Sequence, residues 1–212
     1  MMIIIVKRLG DFVAGKVKMK MVEGAVQLLA RRGLQSTSFA EVLELTGAPR
    51  GSLYHHFPEG KDQLVQEAVA LAGERAIDLL KTKAGASAVA VTQFFVFIWR
   101  ELLLRSNFQA GCAVLAVAVA SDSKRQLDQT AAVFWAWRMQ LTELLEKGGL
   151  EPLKAASLAA TLISACEGAV VLSRAEQSLE PFDLVSSQLV ELVRTQVTRS
   201  STESNSFSEG SP

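Results

Sequence analysis

Apolar residues recur at three- and four-residue spacing along almost the whole chain, which is the pattern of amphipathic helices. Near the N-terminus, for example, Val22, Ala25, Val26 and Leu29 fall on one face of a helix predicted over 16–32. Strand signals are nearly absent, because the Val-rich stretch 114–119 is mixed with Ala and has no partner strand. The chain is therefore predicted to be all-α, with about nine helices.

Turn and cap residues divide this periodic pattern into segments. The predicted helices cover about 16–32, 39–46, 49–56, 61–81, 88–105, 109–120, 123–147, 152–174 and 181–198. We expect a loose N-terminal extension at 1–15, a module of three short helices at 16–60 and a larger helical module at 61–198. The Ser-rich segment 199–212 has no periodicity and is expected to be disordered.

Composition excludes several classes of protein. Two Cys are too few for a disulfide scaffold or a four-Cys zinc site, and the two His are adjacent. We expect no metal and no cofactor. The chain carries 22 basic and 22 acidic residues, but 1–65 holds nine basic against six acidic. This weak asymmetry favours a polyanionic partner for the N-terminal part.

No membrane or targeting segment is expected. The apolar residues 1–6 are too few for a signal peptide, and the basic residues follow them instead of preceding them. The apolar stretches 88–99 and 110–120 are shorter than the ~20 residues that span a bilayer. A cytoplasmic protein is the expectation.

The predicted helices 39–46 and 49–56 are joined by a tight turn. Ser38 followed by Glu41 is the spacing of a capping box, and Pro49 suits a first helical turn, where no N–H donor is needed. Helix, Gly-containing turn and helix is the layout of the helix-turn-helix motif, whose second helix enters the DNA major groove. The same layout also occurs in all-α proteins that do not bind DNA, where Tyr54 and Phe57 would simply be core residues.

If the motif binds DNA, the residues near its two helix starts are the candidates. Arg50 can contact a guanine edge or a phosphate, and Gly51 and Ser52 let the backbone approach the bases. The candidate set is Thr37, Ser38, Pro49, Arg50, Gly51, Ser52, Tyr54, His55 and Lys61.

The larger module is rich in aromatic residues. More aromatics lie between Phe94 and Trp99 than one helical face can bury, so some are candidates to line a cavity for an apolar effector. The candidates are Phe95, Ile98, Trp99, Cys112, Phe134, Trp137, Arg138 and Cys166. The alternative is an ordinary core, because aromatics dominate cores in general.

The predicted helix 152–174 is unusually rich in small residues, which permit close helix–helix approach. We therefore expect a homodimer formed through helices at about 152–174 and 181–198.

Two stretches resemble a known family. The runs Gly51-Ser52-Leu53-Tyr54-His55-His56-Phe57 and Lys61-Asp62-Gln63-Leu64 are similar to the DNA-binding signature of the TetR/AcrR family of bacterial regulators. The run Thr46-Gly47-Ala48-Pro49-Arg50-Gly51-Ser52 and the segment 106–112 resemble its LmrA/YxaF-like branch. The resemblance implies nine helices, a homodimer on a palindromic operator, release by a small molecule, and DNA contacts from Thr37, Ser38, Arg50, Ser52, Tyr54, His55 and Lys61.

The resulting hypothesis is a ligand-responsive transcriptional repressor that binds an operator in double-stranded DNA. A small, largely apolar or aromatic effector releases it from the operator. The alternative is a helical carrier that sequesters a small molecule without binding DNA. An enzyme is not expected, because the chain lacks a Gly-rich phosphate loop, a G-x-S-x-G motif and a plausible Ser/His/Asp set.

Overall fold

The computed structural model describes the backbone of residues 2–208 and the side-chain surroundings of residues 15–198. Within that part of the chain every regular element is an α-helix, which confirms the predicted all-α class. The helices are α1 (Met2–Arg32), α2 (Phe39–Thr46), α3 (Arg50–His56), α4 (Lys61–Lys81), α5 (Ala88–Arg105), α6 (Ala113–Ala120), α7 (Lys124–Lys147), α8 (Pro152–Glu176) and α9 (Glu180–Ser208).

Both ends of the chain differ from the prediction. α1 begins at Met2 instead of residue 16, and α9 continues to Ser208 instead of ending near 198. Neither stretch contains an internal proline or a capping sequence that would end a helix, so periodicity was the wrong criterion there. Residues 209–212 of the predicted tail, and the side chains of 1–14 and 199–208, lie outside the described part.

The start of α6 is also corrected. The prediction placed it at about 109, but Asn107 and Phe108 adopt left-handed backbone conformations with φ of 51° and 59°. The Ser106 hydroxyl accepts a hydrogen bond from the Ala110 amide, and α6 begins only after Cys112. Left-handed residues interrupt a right-handed helix, whatever the apolar pattern of the sequence.

The chain forms two compact units. The first unit contains residues 1–74 and 112–133, and the second contains 75–111 and 134–212. α4 runs through its unit boundary without interruption, and α6 packs against α1, so α6 and the start of α7 belong to the first unit.

Each unit has its own apolar core. In the first, Met21, Leu29, Leu53 and Phe57 are among the fully buried side chains. The second buries Leu103, Leu141, Leu162 and Phe182. In the second unit α8 packs against α9, and α5 packs against both.

One helix among the described residues, α8, is long and apolar enough to cross a membrane. Half of its most apolar window is buried inside the protein, as in a core helix of a globular protein.

Candidate nucleic-acid interface

α2 begins at a complete capping box. The Ser38 hydroxyl accepts a hydrogen bond from the Glu41 amide at 3.3 Å, and the Glu41 carboxylate accepts one from the Ser38 amide at 3.2 Å. The same carboxylate forms an ion pair with Arg32 at 2.9 Å, at the end of α1. The Ser38–Glu41 box therefore fixes both the start of α2 and its position beside α1.

Three neighbouring residues, Thr46, Gly47 and Pro49, fix the turn between α2 and α3. Gly47 caps α2 with φ of 64°, a left-handed conformation that glycine adopts without a steric penalty. The Thr46 hydroxyl donates to the Val42 carbonyl and accepts from the Ala48 amide at 3.3 Å. Pro49, with φ of −65°, then occupies the N-cap position of α3.

The helices α1 and α2 approach each other closely at Gly24. A Cβ atom built on Gly24 would lie 2.5 Å from Cγ2 of Thr46, which is shorter than any ordinary contact. Only glycine fits at this crossing with the present position of Thr46.

α3 has one buried and one exposed face. Leu53 and Phe57 are 1% and 0% exposed and anchor the helix in the core of the first unit. Arg50, Gly51 and His55 are exposed, and the Tyr54 side chain is 75% exposed. Nothing lies within 4 Å of a Cβ built on Gly51, so the backbone is open to close approach at that position.

An open groove of about 730 Å³ runs between α2 and α3. Its lining residues from α2, α3 and the turn are Phe39, Ala40, Leu43, Glu44, Ala48, Arg50, Leu53 and Tyr54. The Tyr54 ring is held edge-on to Phe39, with ring centroids 6.2 Å apart. Arg50 and Tyr54 of the predicted set therefore share one surface depression, to which Glu44 adds a carboxylate that the sequence analysis did not single out.

Besides Ser38, which bonds Glu41, three more of the predicted DNA contacts make side-chain hydrogen bonds within the protein. The Thr37 side chain is 1% exposed, and its hydroxyl donates to the Gly33 carbonyl at 2.8 Å. The Ser52 hydroxyl donates to the Pro49 carbonyl at 2.7 Å, which leaves its oxygen able to accept. Nζ of Lys61 donates to the Leu34 carbonyl at 3.0 Å.

His56, unlike His55, is partly buried. Burial lowers the pKa of His56 below its usual 6.5, and the positive charge of Lys18 and the neighbouring His55 ring lower it further. Glu67, which forms a 2.7 Å ion pair with Lys18, opposes this pKa shift. His56 is therefore harder to protonate than an exposed histidine.

The predicted effector residues are distributed over both units. In the second unit Phe95 contacts Trp99 and Phe134 contacts Trp137 in edge-to-face pairs, with centroids 6.3 and 5.5 Å apart. Three other residues of the predicted set also lie in the second unit. Ile98 is half-buried, Arg138 is exposed and Cys166 is fully buried. Cys112 belongs to the first unit, where its sulfur accepts a hydrogen bond from the Leu115 amide at the start of α6.

A buried anchor, a left-handed Gly turn and an exposed second helix with Arg50 at its start form a helix-turn-helix motif. Residues 21–68 match the bacterial regulatory proteins of the tetR family, and residues 88–188 match the C-terminal domain of LmrA/YxaF-like transcriptional regulators. The chain belongs to the TetR family. Members of this family are transcriptional regulators and not enzymes, as the sequence predicted.

Relatives extend over nearly the whole chain. An uncharacterized HTH-type transcriptional regulator of Mycobacterium tuberculosis is 35% identical over 181 residues, covering 82% of this chain and 92% of that protein. The HTH-type transcriptional regulator LmrA of Bacillus subtilis is 24% identical and covers 85% of this chain and 98% of that protein.

Solved structures agree on the fold. The regulatory protein TetR from Rhodobacter sphaeroides has a TM-score of 0.73 at 18% identity, covering 82% of this chain and 96% of that one. A TetR transcriptional regulator from Chloroflexus aurantiacus has a TM-score of 0.70 at 24% identity, covering 86% and 96%.

Proposed function

We propose that this TetR-family regulator is a cytoplasmic repressor that binds a palindromic operator as a homodimer and is released by a small, largely apolar or aromatic effector. The exposed face of α3 carries the proposal. Leu53 and Phe57 hold the helix in the core, while Arg50 and Tyr54 line the groove and Gly51 is exposed beside them.

Within this interface, Arg50 is the base reader. Its guanidinium projects from the first turn of α3, the part of a recognition helix that contacts base edges. The other exposed or part-exposed members of the set position the DNA backbone by phosphate contacts or by close approach. They are Ser38, Pro49, Gly51, Ser52, Tyr54, His55 and Lys61. Thr37 supports the turn before α2 from inside the protein.

DNA binding is tested by fluorescence anisotropy with labelled duplex tiles from around the gene of this protein and a scrambled duplex, across a salt series. We expect tight binding to one tile, with affinity falling steeply as salt rises. Equal, weak binding to every tile would contradict the proposal and favour the carrier.

Arg50→Ala isolates the base reader. It is expected to cost ~1–3 kcal/mol of operator binding and to relax base preference at one position. Arg105→Ala, which removes an 80% exposed arginine from α5, is the matched control and should change neither quantity. Unchanged affinity and preference in Arg50→Ala would assign base reading elsewhere.

The proposed dimer interface is the outer face of α8 and α9. These helices expose several large apolar side chains: Leu153, Val171, Leu172, Leu184 and Leu192. Gly168 on α8 is exposed, and nothing lies within 4 Å of a Cβ built there. Apolar faces of this kind are rare on monomers and are typical of subunit interfaces.

Gly168→Arg tests this placement by light scattering. An arginine fits the folded monomer at Gly168 but should separate two closely packed subunits, so we expect a monomer. Ala84→Arg, in the exposed turn after α4, adds the same charge and should remain dimeric. A dimeric Gly168→Arg variant would place the interface on another face.

The effector site is proposed for the aromatic helices of the second unit, at Phe95, Ile98, Trp99, Phe134, Trp137, Arg138 and Cys166. Trp99 and Trp137 are 8% and 6% exposed, whereas Trp135 is 58% exposed. Trp135→Phe therefore leaves two buried indoles as reporters. A panel of aromatic compounds should change their emission and release the bound tile at the same concentration; release without any emission change would move the site.

A further inference from the structure

Three side-chain contacts join the start of α7 to the segment that begins α4, all within the first unit. We name these contacts the α4–α7 row. Its members are Arg125 with Glu59, Gln126 with Asp62, and Gln129 with the main chain of Gln66. The distances are 2.9, 3.2 and 2.7 Å in that order. The three contacts hold the first turns of α7 against the start of α4 and the residues just before it.

Gln126 is the buried member of the row, with 4% of its surface exposed. Its Nε2 donates to Asp62, and its Oε1 accepts a 2.6 Å hydrogen bond from the hydroxyl of Ser121, which caps the end of α6. Because each end of the amide has a partner of the opposite kind, only one amide orientation satisfies both. Gln126 thereby joins the end of α6, the start of α7 and the start of α4.

The start of α4 is in turn joined tightly to the recognition helix. Only four residues separate His56 at the end of α3 from Lys61 at the start of α4. Within them Gly60 donates to the Phe57 carbonyl at 3.0 Å, and Phe57 is fully buried. The Gln63 side chain on α4 donates to the His56 carbonyl and accepts from the Glu59 amide. A shift of the first turn of α4 therefore displaces α3.

From these contacts we infer that Gln126 and Arg125 are positioning residues for DNA recognition. The α4–α7 row holds the first turn of α4, and through it the recognition helix, in the orientation that binds the operator. This inference rests on the proposed function, but neither residue belongs to the proposed DNA-contacting set.

Gln126→Glu is the first test, because it keeps the size of the side chain and turns the donor facing Asp62 into a carboxylate. Two facing carboxylates repel, and the hydrogen bond to Asp62 is lost. We expect the affinity for the preferred tile to fall at least about tenfold, and the affinity for the scrambled duplex to fall much less. Adding Asp62→Asn restores a donor–acceptor pair with reversed polarity and should recover the lost affinity.

Asp62→Asn alone is the matched control, since an amide at position 62 can still present its oxygen to Gln126. It should bind the preferred tile within about twofold of wild type. A merely structural role for Gln126 would lower the thermal midpoint and both DNA affinities together, and would not predict a preferential loss for the preferred tile.

Arg125 supplies a variant that does not threaten folding, because Arg125 and Glu59 side chains are 66% and 58% exposed. Arg125→Glu should reduce preference for the tile over the scrambled duplex, and the added substitution Glu59→Arg should restore that preference. If Gln126→Glu does not fold, this pair of variants decides the question.

Hydrogen exchange separates this inference from the proposed function. The α3 amides of Gln126→Glu should exchange about tenfold faster than in wild type, whereas those of α8 should be unchanged. This readout needs no DNA, so it still applies if wild type prefers no tile. Two outcomes would overturn the inference. One is wild-type exchange in α3 together with wild-type tile preference in both Gln126→Glu and Arg125→Glu. The other is a loss of tile preference that neither Asp62→Asn nor Glu59→Arg restores.

Discussion

Nζ of Lys61, in the first turn of α4, donates a 3.0 Å hydrogen bond to the carbonyl oxygen of Leu34, just beyond the end of α1. The two residues are 27 positions apart, and their contact joins the two ends of the helix-turn-helix. An ammonium group has three donors, so one bond to Leu34 leaves Lys61 able to contact a phosphate as well.

Lys61→Met separates these two roles. The methionine keeps the apolar stem and removes every donor, so we expect unfolding to become easier by about 1 kcal/mol. If Lys61 also contacts a phosphate, the slope of log affinity against log salt should decrease by about 0.9. Urea unfolding and the salt series measure the two effects independently; loss of stability with an unchanged slope would assign Lys61 to the fold alone.

Gly24→Ala should destabilise the first unit although alanine favours helices. The new methyl would meet Cγ2 of Thr46 at 2.5 Å, and relieving that overlap is expected to cost ~1–3 kcal/mol. Thr46→Ser removes Cγ2 but keeps the hydroxyl that bonds Val42 and Ala48, so it is the matched second substitution. Thermal unfolding of the double variant should show that part or all of the lost stability returns. An equal loss of stability in Gly24→Ala and in the double variant would show that the overlap is not the cause.

Acid should weaken the fold through His56. Its pKa in the folded chain is lowered by burial and by the nearby charges of His55 and Lys18, with Glu67 opposing them. Folding therefore disfavours the protonated ring, so this contribution to stability is fully present above pH 6.5 and is lost as pH falls below that value. Urea unfolding between pH 8 and pH 5 should show the decline, and His56→Gln should flatten it; an identical slope in the variant would exclude His56 as its source.

The two cysteines should react very differently with thiol reagents. Burial, with a contribution from Glu167, raises the pKa of Cys166 to about 12, and its side chain is 0% exposed. At pH 8 the folded protein should therefore be alkylated at Cys112, which is half-buried, and at Cys166 only in denaturant. Peptide mass mapping identifies the labelled residue, and Cys112→Ser should remove the native-state reaction. Rapid labelling of Cys166 without denaturant would mean that the second unit opens frequently.

The local signals in the sequence predicted the recognition motif well. Ser38 with Glu41, Gly47 and Pro49 act within a few residues of chain, and the structure forms the capping box and turn that they predict. The bounds of α2 and α3 follow from these residues because caps are local chemistry.

Contacts between distant residues could not be predicted in the same way. Thr37 has the residue type of a phosphate contact, but its side chain is buried and bonded to the Gly33 carbonyl. Gln126 lies among polar residues, so nothing in its neighbourhood indicated that α4 and α6 would bury it. The packing of α6 on α1 could not be predicted for the same reason, because it is not encoded in either helix alone.

The chain contains one tyrosine, and the fold exposes three quarters of it on the recognition helix, edge-on to Phe39. Replacing tyrosine by 3-fluorotyrosine during expression would thus place a single fluorine nucleus on the surface that we propose to face DNA. One ¹⁹F resonance, without assignment of any other signal, would then follow the proposed operator binding and effector release in the same sample.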